Sequence, residues 1–181
     1  MPRLAIIDRA AMNAEQGRVY DAAKQSGGPV GGPYTAYIRL PKLFEAAQTT
    51  RACLGDGPLS GRERQIAHLV IARHWNAKYP WFAQARASLA AGLEQSVIDA
   101  INARKTPDLT DTRERICFDV PREILTDKGL SDATYAAAEK ALGVEHLVAL
   151  VATVGSFSMT CMTTATFQVA APADAPTPLA E

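Results

Sequence analysis

The chain has 181 residues, 48% of them hydrophobic and 21% charged, which suits one domain with a packed core and excludes a disordered chain. Nineteen basic residues balance nineteen acidic ones, so no phosphate-seeking surface is announced and nucleic acid is not an expected partner. The N-terminus has only a four-residue apolar run, too short for a signal-peptide core, and no window approaches the roughly 18 apolar residues of a membrane span. The expectation is a cytoplasmic protein with no membrane partner. Cys53, Cys117 and Cys161 are odd in number and far apart, which fits a reduced compartment better than a disulfide framework.

In chain order, a short helix is predicted over residues 11–25. It ends at Ser26-Gly27-Gly28-Pro29-Val30-Gly31-Gly32-Pro33, a run that can be neither helix nor central strand. That run reads either as a linker or as a loop over a pocket, where glycine allows close backbone approach. Pro41 opens a helix toward Cys53, closed by Gly55-Asp56-Gly57-Pro58. Ser60 and Glu63 form a capping box ahead of a helix from Arg62 to Asn76, and Pro80 and Gly92 bracket the next. Leu93, Val97, Ile98 and Ile101 recur at helical spacing. Asp111 caps a helix that Pro121 should kink, and Ser131 caps another that Gly143 ends. The final helix, Val144 to Phe167, is apolar nearly all round through Val154 and is expected to be the central buried helix. No run alternates as a strand does, so the fold class is all-α. The domain boundaries read as an N-terminal helix and loop (1–33), a helical domain (34–170) and a flexible tail (171–181).

Chemistry has few places to sit. His68 and His74 are six residues apart and point about 120° away from each other on a helix, and no metal-ligand spacing is present. His68 lies among apolar residues, while Gln65, His68, Ala72 and Asn76 share one helical stripe. His68 is therefore either a satisfied core histidine or a proton-transfer group in a wet cavity. The aromatic cluster around Trp75, Tyr79, Trp81 and Phe82 reads as core or subunit interface, with Lys78 among the rings as a candidate anchor for an anion. Serines and threonines at 156, 158, 160, 163 and 164 most simply bond back to helix carbonyls.

Three segments carry a resemblance. The first is Gly57-Pro58-Leu59-Ser60-Gly61-Arg62-Glu63-Arg64 leading into Ala72-Arg73-His74-Trp75-Asn76-Ala77-Lys78-Tyr79-Pro80-Trp81 and on to Ala90-Ala91-Gly92-Leu93, followed by Leu130-Ser131-Asp132-Ala133-Thr134-Tyr135, then Leu147 to Gly155. In order and spacing they resemble the carboxymuconolactone decarboxylase family, which also contains the alkylhydroperoxidase D-like proteins. The resemblance covers residues 34–170 and implies a helical bundle that assembles as a trimer or hexamer, with pockets near subunit contacts. Members with peroxidase activity carry a glutamate, a Cys-x-x-Cys and a histidine. Those positions fall here on Gln65, Ala77, Pro80 and Gln84, so the thiol chemistry is not expected. The non-cysteine pattern's acid and imidazole are missing from the Tyr79-Pro80-Trp81 segment as well.

The resemblance implies a cofactor-independent lyase or decarboxylase acting on a small organic acid or lactone. The expected catalytic residues are His68 as proton donor, with Lys78 and Tyr79. Gln65, Arg73, His74, Asn76, Trp81 and Gln84 are the expected substrate-binding residues. The alternatives are a non-catalytic oligomeric binding or scaffold protein that kept the fold and, further off, a thiol peroxidase.

Overall fold

The computed structural model describes residues 3–172 and 178–180; residues 173–177 and 181 of the expected tail lie outside the described residues. After a 3-10 turn at Arg9–Ala11, the helices are α1 (Ala14–Gln25), α2 (Tyr34–Tyr37), α3 (Pro41–Gly55), α4 (Gly61–His74), α5 (Lys78–Ala90), α6 (Gln95–Asn102), α7 (Thr112–Asp127), α8 (Asp132–Leu142) and α9 (Val144–Thr166). No strand occurs among the described residues, so the all-α expectation holds. The predicted caps at Ser60, Asp111 and Ser131 do what their chemistry requires, and Asn13, not foreseen from sequence, does the same for α1. Asn13, Ser60, Asp111 and Ser131 each accept a backbone N–H of the first turn, and Gly92 and Gly143 close α5 and α8 with φ of 81° and 79°. Short α2 carried no legible signal. α7 runs through Pro121 as one helix; a proline there can donate nothing to the Cys117 carbonyl one turn back.

The central helix is α4, not α9. It touches α5, α6, α7 and α9, and Ile66, Ala67, Leu69, Ile71 and Ala72 on it are fully buried. Alanines at 67 and 72 let neighbouring helix axes approach closely. Contrary to the expectation from sequence, the 23-residue α9 holds an 18-residue window of mean hydropathy 1.6, long and apolar enough by length and composition to cross a membrane, yet only one side of it is used in the fold. Leu147, Leu150, Val154 and Cys161 are buried, while Val144, Val148, Val151 and Met162 stay exposed. Apolarity all round thus marked a helix with two apolar faces, one of them uncovered. Of the hydroxyls expected to bond back, Ser156 donates to Thr153 O at 3.4 Å, Thr163 to Met159 O at 2.8 Å and Thr164 to Thr160 O at 3.0 Å, but the buried Ser158 Oγ has no partner among the described residues.

A second, smaller cluster forms from Val19, Tyr34, Tyr37, Ile38 and Phe44, with Met159 of α9 packed against it. The Tyr34 and Phe44 rings meet edge to face at 5.2 Å, and the Tyr37 hydroxyl lies 3.2 Å from Thr163 Oγ1. These contacts carry α1, α2 and α3 onto α9 and hold the Pro29–Pro33 loop above the face of α5. At the other end of the chain, Asn102 Nδ2 donates to Pro178 O at 2.9 Å and Asn102 Oδ1 accepts from the Ala180 N–H at 2.8 Å.

Glu63 joins two levels of this construction. Its carboxylate accepts from the Ser60 N–H at 2.8 Å, closing the capping box, and pairs with Arg113 Nε of α7 at 2.6 Å. Burial works against the charge, but Arg113 and the Ser60 N–H outweigh it and hold the carboxyl below its ordinary range. Glu63→Ala removes the carboxylate half of the capping box and leaves Arg113 without a carboxylate partner among the described residues. Arg113 keeps some access to water, so the expected loss is about 2–3 kcal/mol rather than the full value for a sealed pair. Urea denaturation checks it; a loss below about 0.5 kcal/mol, the size of an ordinary surface change, would contradict this role.

Candidate functional site

A cavity of about 610 Å³ lies between α3, α4, α5, α9 and the Pro29–Pro33 loop. Its α4 wall is Gln65 and His68, one turn apart. Its α5 wall is Tyr79, Pro80, Ala83, Gln84 and Ala87, which three-and-four spacing places on one helix face. From α9 come Phe157 and Thr160. The glycine run is therefore a loop over a pocket rather than a linker. Gly32 has φ of 60°, and a Cβ there would collide with the Tyr79 ring, so glycine is what allows the loop to lie flat against α5.

His68 is half-buried. Its ring stacks on Phe157, centroids 4.2 Å apart and planes tilted by 35°. Nδ1 is sealed from solvent without a hydrogen-bond partner. Burial pushes the imidazole down to about 3, the Arg64 and Arg51 cations push the same way, and a hydrogen bond with the Gln84 side chain opposes them. At neutral pH the ring is uncharged. Gln65 Oε1 in turn accepts from Ser88 Oγ at 3.5 Å.

Two guanidiniums reach the cavity, and among the described residues neither forms an ion pair with a carboxylate. Arg64 donates only to Leu59 O, at 3.1 Å, and Arg51 is exposed on α3. Among the described residues, Asp56 is the one carboxylate on the wall. Burial raises the Tyr34 phenol, and Arg51 opposes that rise. The lining thus carries a net positive charge facing a neutral imidazole.

Of the residues singled out from sequence, the cavity brings together Gln65, His68, Tyr79 and Gln84. The other five lie elsewhere. Lys78 is exposed at the start of α5 and does not line the cavity. Arg73 is buried, and its Nε donates to Asn102 O at 2.7 Å. His74 borders a separate, smaller pocket with Arg73. Asn76 is exposed with φ of 47° and accepts from Arg73 and Arg104. Trp81 is wholly buried in the core. Sequence reasoning missed Arg51, Arg64 and Phe157. Arg64 was findable, lying four residues before His68 on the same stripe; nothing local marks Arg51.

Of the four positions where the peroxidase pattern would fall, Gln65, Pro80 and Gln84 face the cavity, and Ala77 is packed in the core. All three cysteines are free. Cys117 and Cys161 are buried with thiols pushed far up by burial, and Cys53 is exposed on α3. No thiol lines this cavity.

By sequence alone, no family model and no curated protein matches the chain. Solved structures do. An uncharacterized peroxidase-related protein from Ralstonia eutropha JMP134, described as an alkylhydroperoxidase AhpD core, superposes with a TM-score of 0.75 at 17% identity, covering 96% of this chain and 93% of its own. An uncharacterized peroxidase-related protein from Silicibacter sp. TM1040 gives 0.76 at 17% identity, with 96% and 94% covered. At that identity the likeness concerns the fold, and the fold is that of the alkylhydroperoxidase D core.

Proposed function

We propose, from the alkylhydroperoxidase D-like fold as premise, that the chain is a cofactor-independent lyase or decarboxylase acting on a small organic acid or lactone. One observation carries the reading: two guanidiniums without carboxylate partners and a neutral imidazole with an unpartnered nitrogen meet in one cavity. The substrate carboxylate sits against Arg64 and Arg51, taking the anchoring role that sequence alone gave to Lys78 or Arg73. Gln65 and Gln84 offer amide N–H groups to the enolate that forms as CO2 leaves. His68 cannot be the stored proton donor, since its ring is uncharged at neutral pH. It shuttles a proton from the neutral state, and a bound carboxylate offsets the two cations that depress it. The Tyr79 hydroxyl, on the same wall, gives its proton to the carbon that CO2 leaves, and the neutral His68 ring returns one to the phenolate by passing on its N–H proton and taking another from water.

The test is calorimetric binding and turnover of small unsaturated acids and lactones. Replacing both Arg51 and Arg64 by glutamine is expected to weaken the best ligand by about 10–100-fold, the value of a lost charge-assisted hydrogen bond. His68→Ala should abolish turnover while leaving that affinity within a few-fold. Unchanged binding in the double variant sinks the anchoring role, and unchanged turnover in His68→Ala sinks the chemistry.

A second reading, a non-catalytic oligomeric binding protein, has support from Gln65 and Gln84, amides that keep a polar wall but cannot exchange protons near neutral pH. Binding of acids without turnover of any would favour it. A thiol peroxidase would need a thiolate beside a resolving thiol. Ala77 and Pro80 provide neither, and burial holds Cys117 and Cys161 protonated.

An assembly of identical chains, a trimer or hexamer, belongs to the same proposal. Val144, Val148 and Val151 recur along one side of α9 and are 56%, 63% and 44% exposed, an apolar stripe with no cover inside the chain. Light scattering at low micromolar concentration is expected to return a multiple of the chain mass. A monomer there would overturn it.

A further inference from the structure

A second pocket, of about 160 Å³, lies beyond the end of α4 and shares no lining residue with the main cavity. Its floor is apolar, formed by Val70, Ile101, Phe118 and Leu125, and its rim is cationic, formed by Arg73, Arg104, Lys105 and Arg122. In a chain of zero formal charge, this is a local excess of positive charge with little to balance it. Arg122 pairs with Asp119 at 3.2 Å. Among the described residues, no carboxylate pairs with Arg73, Arg104 or Lys105. Arg73 is 7% exposed, and it and Arg104 converge on a single neutral acceptor, Asn76 Oδ1; Arg104 Nη2 lies 3.0 Å from it.

Part of this has a structural cause. Arg73 Nε satisfies the Asn102 carbonyl, one of the unpaired acceptors at the end of α6, where positive charge is favoured. Arg104 stands at that same helix end, where its charge is favoured too, and its side chain donates to Asn76 Oδ1. It stands one residue past the Ala103 cap with φ of 57°. The Lys105 N–H donates to Ala100 O at 2.8 Å and the Arg104 N–H to Ile101 O at 3.0 Å. That is the closing motif in which glycine is the favoured residue, because other side chains are strained there. Glycine at positive φ ends α1, α5 and α8, whereas Asn76, Lys128 and Gln168 take up that conformation after α4, α7 and α9. At α6 the residue in that conformation is an arginine, which shares the Asn76 Oδ1 acceptor with buried Arg73, and among the described residues neither has a carboxylate partner.

We propose that this pocket binds a small phosphomonoester dianion. Two or more unbalanced cations call for a doubly charged oxyanion rather than a single carboxylate, and guanidinium forks match phosphate oxygens. The apolar floor accommodates a short organic body, and the volume limits it to a few carbons.

The experiment is calorimetric titration of the full chain at pH 8 and fixed ionic strength with n-butyl phosphate, inorganic phosphate and butyrate as probes. n-Butyl phosphate is expected to bind at least about threefold more tightly than inorganic phosphate, from contact of its carbons with the floor, and butyrate more weakly than either. Arg104→Gly removes the cation at a residue where glycine relieves strain, so the variant is expected to fold at least as stably and to bind butyl phosphate about tenfold more weakly. Lys105→Ala should weaken it too. Inorganic phosphate binding as well as the ester would overturn the organic body. Butyrate binding as well as the ester would overturn the dianion. An Arg104→Gly variant, folded by its thermal transition, that binds butyl phosphate like the parent would overturn the site.

Discussion

Trp81→Ala is expected to lower the unfolding free energy by about 4 kcal/mol, in the range of large aromatic deletions from a sealed core. The indole is fully buried in the main cluster, on the face of α5 turned away from the cavity. Alanine would leave a void that the surrounding helices can close only in part. For a chain of this size, about 2–4 °C in melting temperature accompanies each kcal/mol, so a fall of roughly 8–16 °C should appear in thermal denaturation. The measurement separates two roles that look alike in sequence. A ligand-contacting tryptophan would lose affinity with stability nearly intact, and that result would refute the core placement.

The second large effect is a pH dependence assigned to His68. Its folded-state value is lowered from 6.5 to about 3, so between those limits the unfolded chain binds a proton that the folded chain refuses. Stability is complete above about pH 6.5 and declines as pH falls toward 3. Each tenfold difference in proton affinity between the two states is worth about 1.4 kcal/mol, and water reaching the half-buried ring through the cavity reduces the total, leaving about 2–4 kcal/mol. Carboxylates such as Glu63 add their own acid dependence, with the group lowered below its usual value and its stabilisation lost as it protonates. Comparison with His68→Gln isolates the imidazole. Urea midpoints of the variant should fall less steeply than those of the parent from pH 6.5 to 4. Parallel curves would mean that the ring protonates as freely in the folded chain as in the unfolded one.

Much of the helical plan was written locally. Asn13, Ser60, Asp111 and Ser131 start helices because a short oxygen-bearing side chain satisfies an orphan N–H within its own turn. Gly92 and Gly143 stop them because the required φ suits no other residue as well. α2 escaped notice because four residues show no periodicity, and the place of α9 was misjudged because hydropathy does not say which of two apolar faces will find a neighbour.

The amino-acid sequence thus determined the fold class, the helix ends, the absence of a Cys-x-x-Cys pair and half of the candidate cavity, since Gln65 with His68 and Tyr79 with Gln84 are set by spacing along single helices. Only the tertiary structure decided which cations face that cavity. Arg51 arrives on α3, brought over by the Tyr34 and Phe44 cluster, while Lys78 and Arg73, nearer in sequence, turn elsewhere. The reason is geometric. Helical spacing fixes the angle between side chains on one helix, but which face meets its neighbours is settled by how all the helices bury their apolar surface together.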